Sequence, residues 1–244
     1  MTVAKASKLD LVALPTPEMY TPEFFDGQID LAVASAKVVV PSVLTRIGSI
    51  GSVIDVGCGR GAWAAEFASR GISVVGIDGA YVADRLEGFT FVEHDLTDTL
   101  PETPSADLVV CLEVAEHLPE TRAQSFVSEL CALGVRVLFS AAIPHQYGTG
   151  HINCQWQSWW VDLFESQGMF VDGSLRWPMW DDPDVAPWYR QNLLLFGPAK
   201  TVDNGPIDVV HPEIHEWGRW PLRHIDPVSG MAVDDPMEVA GPRD

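Results

Sequence analysis

Between residues 113 and 117 the chain reads E-x-x-E-H, through Glu113, Glu116 and His117. On a helix, the i, i+3 and i+4 positions share a face, so this spacing predicts three side chains converging on one point. Two carboxylates and an imidazole gathered there suit Mg2+, Mn2+ or Zn2+. His151 is a candidate fourth ligand or general base, and His145 a further base candidate. Both lie in PHQYGTGHINCQW, where Gly148 and Gly150 imply a bent segment. Such a group fits an acceptor hydroxyl that must lose its proton, with His117, His145 and His151 as the catalytic candidates. The plainer alternatives are solvated loop histidines, and acids that only shape a pocket.

Upstream, VIDVGCGRG at 53–61 breaks from an apolar run into Gly57, Gly59 and Gly61. A dinucleotide fingerprint needs G-x-G-x-x-G, with pyrophosphate on the helix that follows. The spacing here is G-x-G-x-G, and Asp55 just before it would repel a pyrophosphate but attract an ammonium. A nicotinamide oxidoreductase is therefore disfavoured. Asp78 closes the next apolar run in VVGIDG, and its two oxygens can accept from two ribose hydroxyls. Asp95, in FVEHDL, can reach an adenine amino group. Together these acids describe an adenosine with a cationic tail and no phosphate.

The elements that must position these residues alternate. Apolar runs at 53–56, 73–77, 90–92, 108–112 and 135–140 read as buried strands. Helical stretches are expected at 63–70, 82–86, from 117–119 onward and at 124–133. That alternation argues for a parallel sheet covered on both faces. Two last strands, at 169–175 and 192–197, are joined by a tryptophan-rich segment without a clear helix, so they are expected to pair antiparallel. Before the first strand, 22–47 reads as helix with a break at Pro41. Residues 1–20 read as extended or irregular. The expected organisation is a helical lead-in at 1–47, one α/β domain at 48–200 and a proline-rich arm or tail at 205–244.

At this point the sequence resembles the class I S-adenosylmethionine-dependent methyltransferases, over roughly residues 50–197. The resemblance rests on DVGCGRG at 55–61, GIDG at 76–79, HDL at 94–96 and DLVVCLEVAEHLP at 107–119, in the family's order. YTPEFFDGQ at 20–28, FSAAIPHQYGTGHINCQWQSWW at 139–160 and WYRQNLLLF at 188–196 are similar to a bacterial and phage subgroup, which implies no particular acceptor. The family implies a Rossmann-like doubly wound sheet of seven strands, in the order 3-2-1-4-5-7-6 with strand 7 antiparallel. It also implies S-adenosylmethionine as cofactor, with Asp55 near its ammonium and Gly57, Cys58 and Gly59 under its methionine part. Asp78 and Gly79 would serve the ribose and Asp95 and Leu96 the adenine, while Glu113 would face the cofactor pocket. E-x-x-E-H is similar to the metal site of methyltransferases acting on quinone precursors and of those capping small RNAs at the 2′-oxygen.

Composition narrows the partners. The formal net charge is −19, from 34 acidic against 15 basic residues. That speaks against a nucleic-acid ligand, whose backbone needs clustered Lys and Arg. A small molecule or a saccharide is the expected acceptor, with Trp156, Trp159, Trp160, Trp177, Trp180 and Trp188 as an aromatic wall or a hydrophobic cover. Asp181, Asp182 and Asp184 could accept from sugar hydroxyls or form a solvated turn. Cys58, Cys111, Cys131 and Cys154 form no C-x-x-C pair, and no long apolar run crosses a membrane, so a reduced cytoplasmic protein is expected. The leading expectation is O-methylation of such an acceptor. Its rivals are an RNA 2′-O-methyltransferase with a metal at E-x-x-E-H, and a non-catalytic cofactor-binding protein that acts through a partner.

Overall fold

The computed structural model describes residues 22–82, 85, 87–146, 148–200, 205–217, 224–225 and 232–233. Seven strands form one sheet: β1 (Ser52–Val56), β2 (Ser73–Asp78), β3 (Thr90–Glu93), β4 (Leu108–Leu112), β5 (Val137–Ser140), β6 (Phe170–Asp172) and β7 (Leu194–Gly197). Their order is β3-β2-β1-β4-β5-β7-β6, and only β7 runs antiparallel to its neighbours. Both the expected order and the direction of the last strand agree with this sheet. A short ladder, β8 (His224–Ile225) with β9 (Ala232–Val233), lies apart from it.

Central strands are covered on both faces, which is why they read as unbroken apolar runs. All five residues of β4 are buried. Along that strand Leu108, Val110 and Leu112 face one layer of the core while Val109 and Cys111 face the other. The first layer is closed by α1 (Pro22–Ile47) and α2 (Ala62–Ala68), through Val39, Val43 and Phe67. The second is closed by α3 (Glu120–Leu133) and α4 (Gln157–Ser166), through Phe126, Leu130 and Phe164.

Three local expectations are corrected. Helix α1 does not break at Pro41. A proline there removes one helical hydrogen bond, but Val39, Val40 and Val43 are fully buried and hold the helix on the sheet across it. The segment between β6 and β7 is not irregular: a 3-10 turn spans Gly173–Met179 and α5 spans Pro187–Asn192. That turn starts where Asp172 accepts from the Ser174 N–H, so β6 is only three residues long. Helix α4 was not among the expected helices. Val82 and Arg85 are not helical, and residues 83, 84 and 86 of that expected helix lie outside the described residues, as do 1–21.

Phe139 of β5 sits 1% exposed among Trp160, Phe164 and Phe196, with ring centres 5.2, 5.2 and 6.3 Å away. Phe139→Ala empties that junction and is expected to lower stability by about 3–5 kcal/mol. A urea unfolding midpoint equal to that of the parent would show that the second layer does not depend on it.

A candidate active site at the carboxyl ends of the strands

Leaving β1, the chain must turn within five residues to start α2. Gly57, Gly59 and Gly61 do so with φ of 74°, 50° and 86°. A Cβ on Gly57 would drive into the side chain of Val114, so both the conformation and the space exclude other residues there. The turn is tied to β2: Gly57 and Cys58 donate to the Ile77 carbonyl at 2.8 and 3.2 Å. The Asp78 carboxylate accepts from the Gly59 N–H at 2.6 Å and from the Gly79 N–H at 2.7 Å, one on each oxygen. Tyr81 adds a third donor to this carboxylate, which leaves it one further lone pair, and Asp78 lines the cavity.

That cavity holds about 850 Å³. At one end it is lined by Gly57, Cys58, Gly59, Asp78, Gly79, Asp95 and Leu96. Asp95 accepts from the Thr97 N–H and hydroxyl at 2.9 and 2.8 Å, and these bonds hold its carboxyl below the usual range. Asp55 lies behind the turn and does not line the cavity. It is 2% exposed, one of its oxygens has no hydrogen-bond partner, and burial followed by the charge of Asp78 pushes its pKa up to about 7.

Glu113, Val114, His117, Gln146, Gly148, Thr149 and His151 line the other end, beneath Ile29 and Ala32 of α1. Glu113 is not on a helix. It follows β4 with φ 55°, its N–H bound to the carbonyl and hydroxyl of Ser140 at 2.9 and 3.1 Å. Glu116 and His117 belong to a 3-10 turn, Ala115–His117. E-x-x-E-H therefore does not form one helical face, and the four-ligand expectation divides. The ligand atoms of Glu116, His117 and His151 lie within 4.8 Å of one another, whereas Glu113 is turned to the amides of Asn192 and Gln146, at 3.1 Å each.

Fold contacts bring His151 to this group. The N–H groups of Ile152 and Asn153 donate to the Glu116 carbonyl at 2.9 and 3.0 Å, stitching the loop after β5 to the 3-10 turn. His151 Nδ1 is 3.0 Å from the Gln146 carbonyl. A carbonyl only accepts, so Nδ1 carries the proton and Nε2 keeps its lone pair, 4.0 Å from Glu116. The His117 and His151 rings meet edge-on at 5.0 Å. Burial, then the neighbouring His151, pulls His117 down to about 4, and burial also lowers His151. Glu116, fully buried, is pushed well above the carboxylate range by burial and by Glu113.

Other expected residues lie elsewhere. His145 is exposed, at φ 68°, and does not line the cavity. Of the tryptophans named above only Trp188 lines it. Trp160 packs in the core, and Trp177 packs on Trp180, which packs on His211. Asp181, Asp182 and Asp184 are also outside it. Gln146, Gln191 and Asn192 were not anticipated. The signal for two of them was the amide pair set between Tyr189 and the apolar run of β7.

Comparisons with known proteins bear on this geometry. Residues 33–182 match the family described as "Methyltransferase domain". The ubiquinone biosynthesis O-methyltransferase of Pseudomonas savastanoi pv. phaseolicola is 36% identical over 88 residues, which cover 31% of this chain and 37% of that protein. Little more than a third of that relative's length is therefore matched. An O-methyltransferase family protein from Burkholderia thailandensis superposes with a TM-score of 0.56 at 16% identity, covering 74% of this chain and 59% of that one. SAM-bound CalS10, an amino pentose methyltransferase from Micromonospora echinaspora, gives 0.54 at 15% identity, covering 74% and 98%. At such identities the two structures share the fold.

Two expectations follow from the geometry. Asp55 binds its proton more tightly in the folded chain than in the unfolded one, where its pKa is near 3.8. Its contribution to stability is thus complete below about pH 4 and is lost as pH rises through about 7. Melting temperatures of cofactor-free Asp55→Asn should fall less over that window than those of the parent; parallel curves would contradict the burial of this acid. A Cβ at Gly148 would strike the imidazole of His151. Gly148→Ala is expected to displace that ring, read as a shift of the His151 resonances by NMR.

Proposed function

This chain belongs to the methyltransferase-domain family, and from that premise we propose that it moves a methyl group from S-adenosylmethionine to an oxygen of a small-molecule or saccharide acceptor. One observation carries the reading. A single cavity runs from the glycine turn, Asp78 and Asp95 to the partly buried imidazole of His151. The residues fit the cofactor: a turn of glycines without side chains, the Asp78 carboxylate on the cavity wall, and the buried acid Asp55 behind the turn. When bound, the cofactor supplies an electrophilic methyl group on a sulfonium.

The chain's own residues position and deprotonate. Asp78 accepts from a ribose hydroxyl, Asp95 with Leu96 borders the adenine, and Glu113 faces the ammonium with Asp55 behind it. At the acceptor end His151 Nε2 takes the hydroxyl proton, while Nδ1 stays bound to the Gln146 carbonyl. Its lowered pKa leaves the ring uncharged at neutral pH, so the lone pair is available. His117 closes the wall beside it. Ile29, Ala32 and Trp188 exclude water from the gap between donor and acceptor.

A second reading of the same end is favoured by the grouping of Glu116, His117 and His151. Two imidazoles and a carboxylate could hold Zn2+, Mn2+ or Mg2+, with Glu116 giving up its proton and the ion lowering the pKa of the acceptor hydroxyl. Among the described residues lining the cavity Arg60 is the one Arg or Lys. With a net charge of −19, this supports a small acceptor over RNA.

Calorimetry on EDTA-treated protein tests the cofactor reading. S-adenosylhomocysteine is expected to bind with a dissociation constant on the order of micromolar. Asp78→Asn, which turns an NH2 toward a main-chain N–H, should abolish binding; no binding by the parent would refute the reading. Base and metal are then separated by turnover. If His151 is the base, His151→Ala lowers the rate by about a hundredfold or more and EDTA has no effect. If a metal serves, EDTA removes activity and the ion restores it.

A further inference from the structure

The described part of the C-terminal arm is fastened to the domain at several points. Arg176 is fully buried and donates through Nη2 to the carbonyls of Pro206 and Ile207, at 2.5 and 2.6 Å. Asp208 accepts from the N–H and hydroxyl of Ser158 at 2.7 and 2.8 Å, and Gln157 donates to the Val209 carbonyl at 3.0 Å. Glu213 pairs with Arg190 at 2.9 Å. His211 is 3% exposed and donates its main-chain N–H to Gln191 Oε1 at 2.8 Å.

From Gln191 a line of buried amides leads to the cavity. Gln191 Nε2 donates to Gln146 Oε1 at 3.0 Å and to Asn192 Oδ1 at 2.9 Å. Asn192 Nδ2 donates to the same Gln146 oxygen at 3.0 Å and to Glu113 Oε1 at 3.1 Å, while Gln146 Nε2 donates to Glu113 Oε2 at 3.1 Å. The direction of the line is fixed by its two ends and, at Gln146, by the Ile143 N–H, which donates to Gln146 Oε1 at 3.3 Å. A main-chain N–H can only donate and a carboxylate can only accept, so each side-chain amide between them has one orientation that satisfies both neighbours. Without the His211 N–H, nothing on the arm's side decides which way the Gln191 amide points.

We infer that residues 205–213 form a clasp whose docking sets the position of the Glu113 carboxylate, with Gln191 as the positioning residue that transmits it. This rests on the proposed function for its consequence, cofactor affinity, but the coupling itself is measurable without any cofactor. The experiment uses the full chain with two changes: Asp208→Ala/Glu213→Ala, which loosens two exposed anchors of the arm, and Gln191→Met, which cuts the line. Hydrogen exchange by mass spectrometry on cofactor-free protein is expected to rise at 112–118 in both variants, although neither Asp208 nor Glu213 touches that segment. Exchange at 112–118 equal to the parent in both would overturn the clasp. Affinity for S-adenosylhomocysteine should fall about tenfold in each and no further when the changes are combined, because one linkage is broken twice. Additive losses would likewise overturn it. A parent that binds no S-adenosylhomocysteine, yet shows the coupled exchange, would sink the methyltransferase reading and leave the clasp standing.

Discussion

Asp78 ties two strand ends together, and the cavity exists because it does. β1 and β2 run parallel and in contact, so both chains leave the sheet along the same edge, where their amides run out of ladder partners. One carboxylate answers Gly59 and Gly79 together. A buried N–H left unanswered costs about 1–3 kcal/mol. Burial pushes the Asp78 carboxyl up, and the hydrogen bonds from Tyr81, Gly59 and Gly79 work against that. The group that fixes the turn is thus the one that lines the cavity, so shaping the turn and presenting an acceptor are one feature.

Buried acids recur around this point. Asp55, Asp78, Glu113 and Glu116 each carry a pKa raised first of all by loss of water. Such groups take up a proton or attract a cation. Burial and the charge of Glu113 push Glu116 well above the carboxylate range. Burial raises Glu113 as well, and the hydrogen bonds from Asn192, Ser140 and Gln146 work against that. Asp55 remains poised near neutrality behind the turn. A cavity with this electrostatic character suits an ammonium and a sulfonium, and it discourages a phosphate.

The two ends of the cavity are built by different physics. At the cofactor end, the groups come from a turn and strand termini close in sequence, held by main-chain hydrogen bonds. At the acceptor end, they come from four separate segments, brought together by the loop after β5, by α5 and by the start of the C-terminal arm. Side-chain amides join those segments, and a network of that kind holds its geometry only when every member is satisfied.

That difference explains what the sequence alone made legible. The sheet order and the antiparallel last strand could be anticipated, because strands buried on both faces announce themselves as apolar runs and their connection lengths limit their directions. Asp78 and Asp95 could be located at the cavity because each closes or follows such a run. The geometry of E-x-x-E-H could not. Its helical face dissolved once Glu113 adopted a left-handed backbone, a choice made by the Ser140 contacts on a neighbouring strand. His151 joined Glu116 and His117, and His145 did not, because the Glu116 carbonyl captures the amides of residues 152 and 153. Local patterns reveal what main-chain regularity enforces; contacts between segments far apart in the chain were decided only when the whole sheet had brought them together.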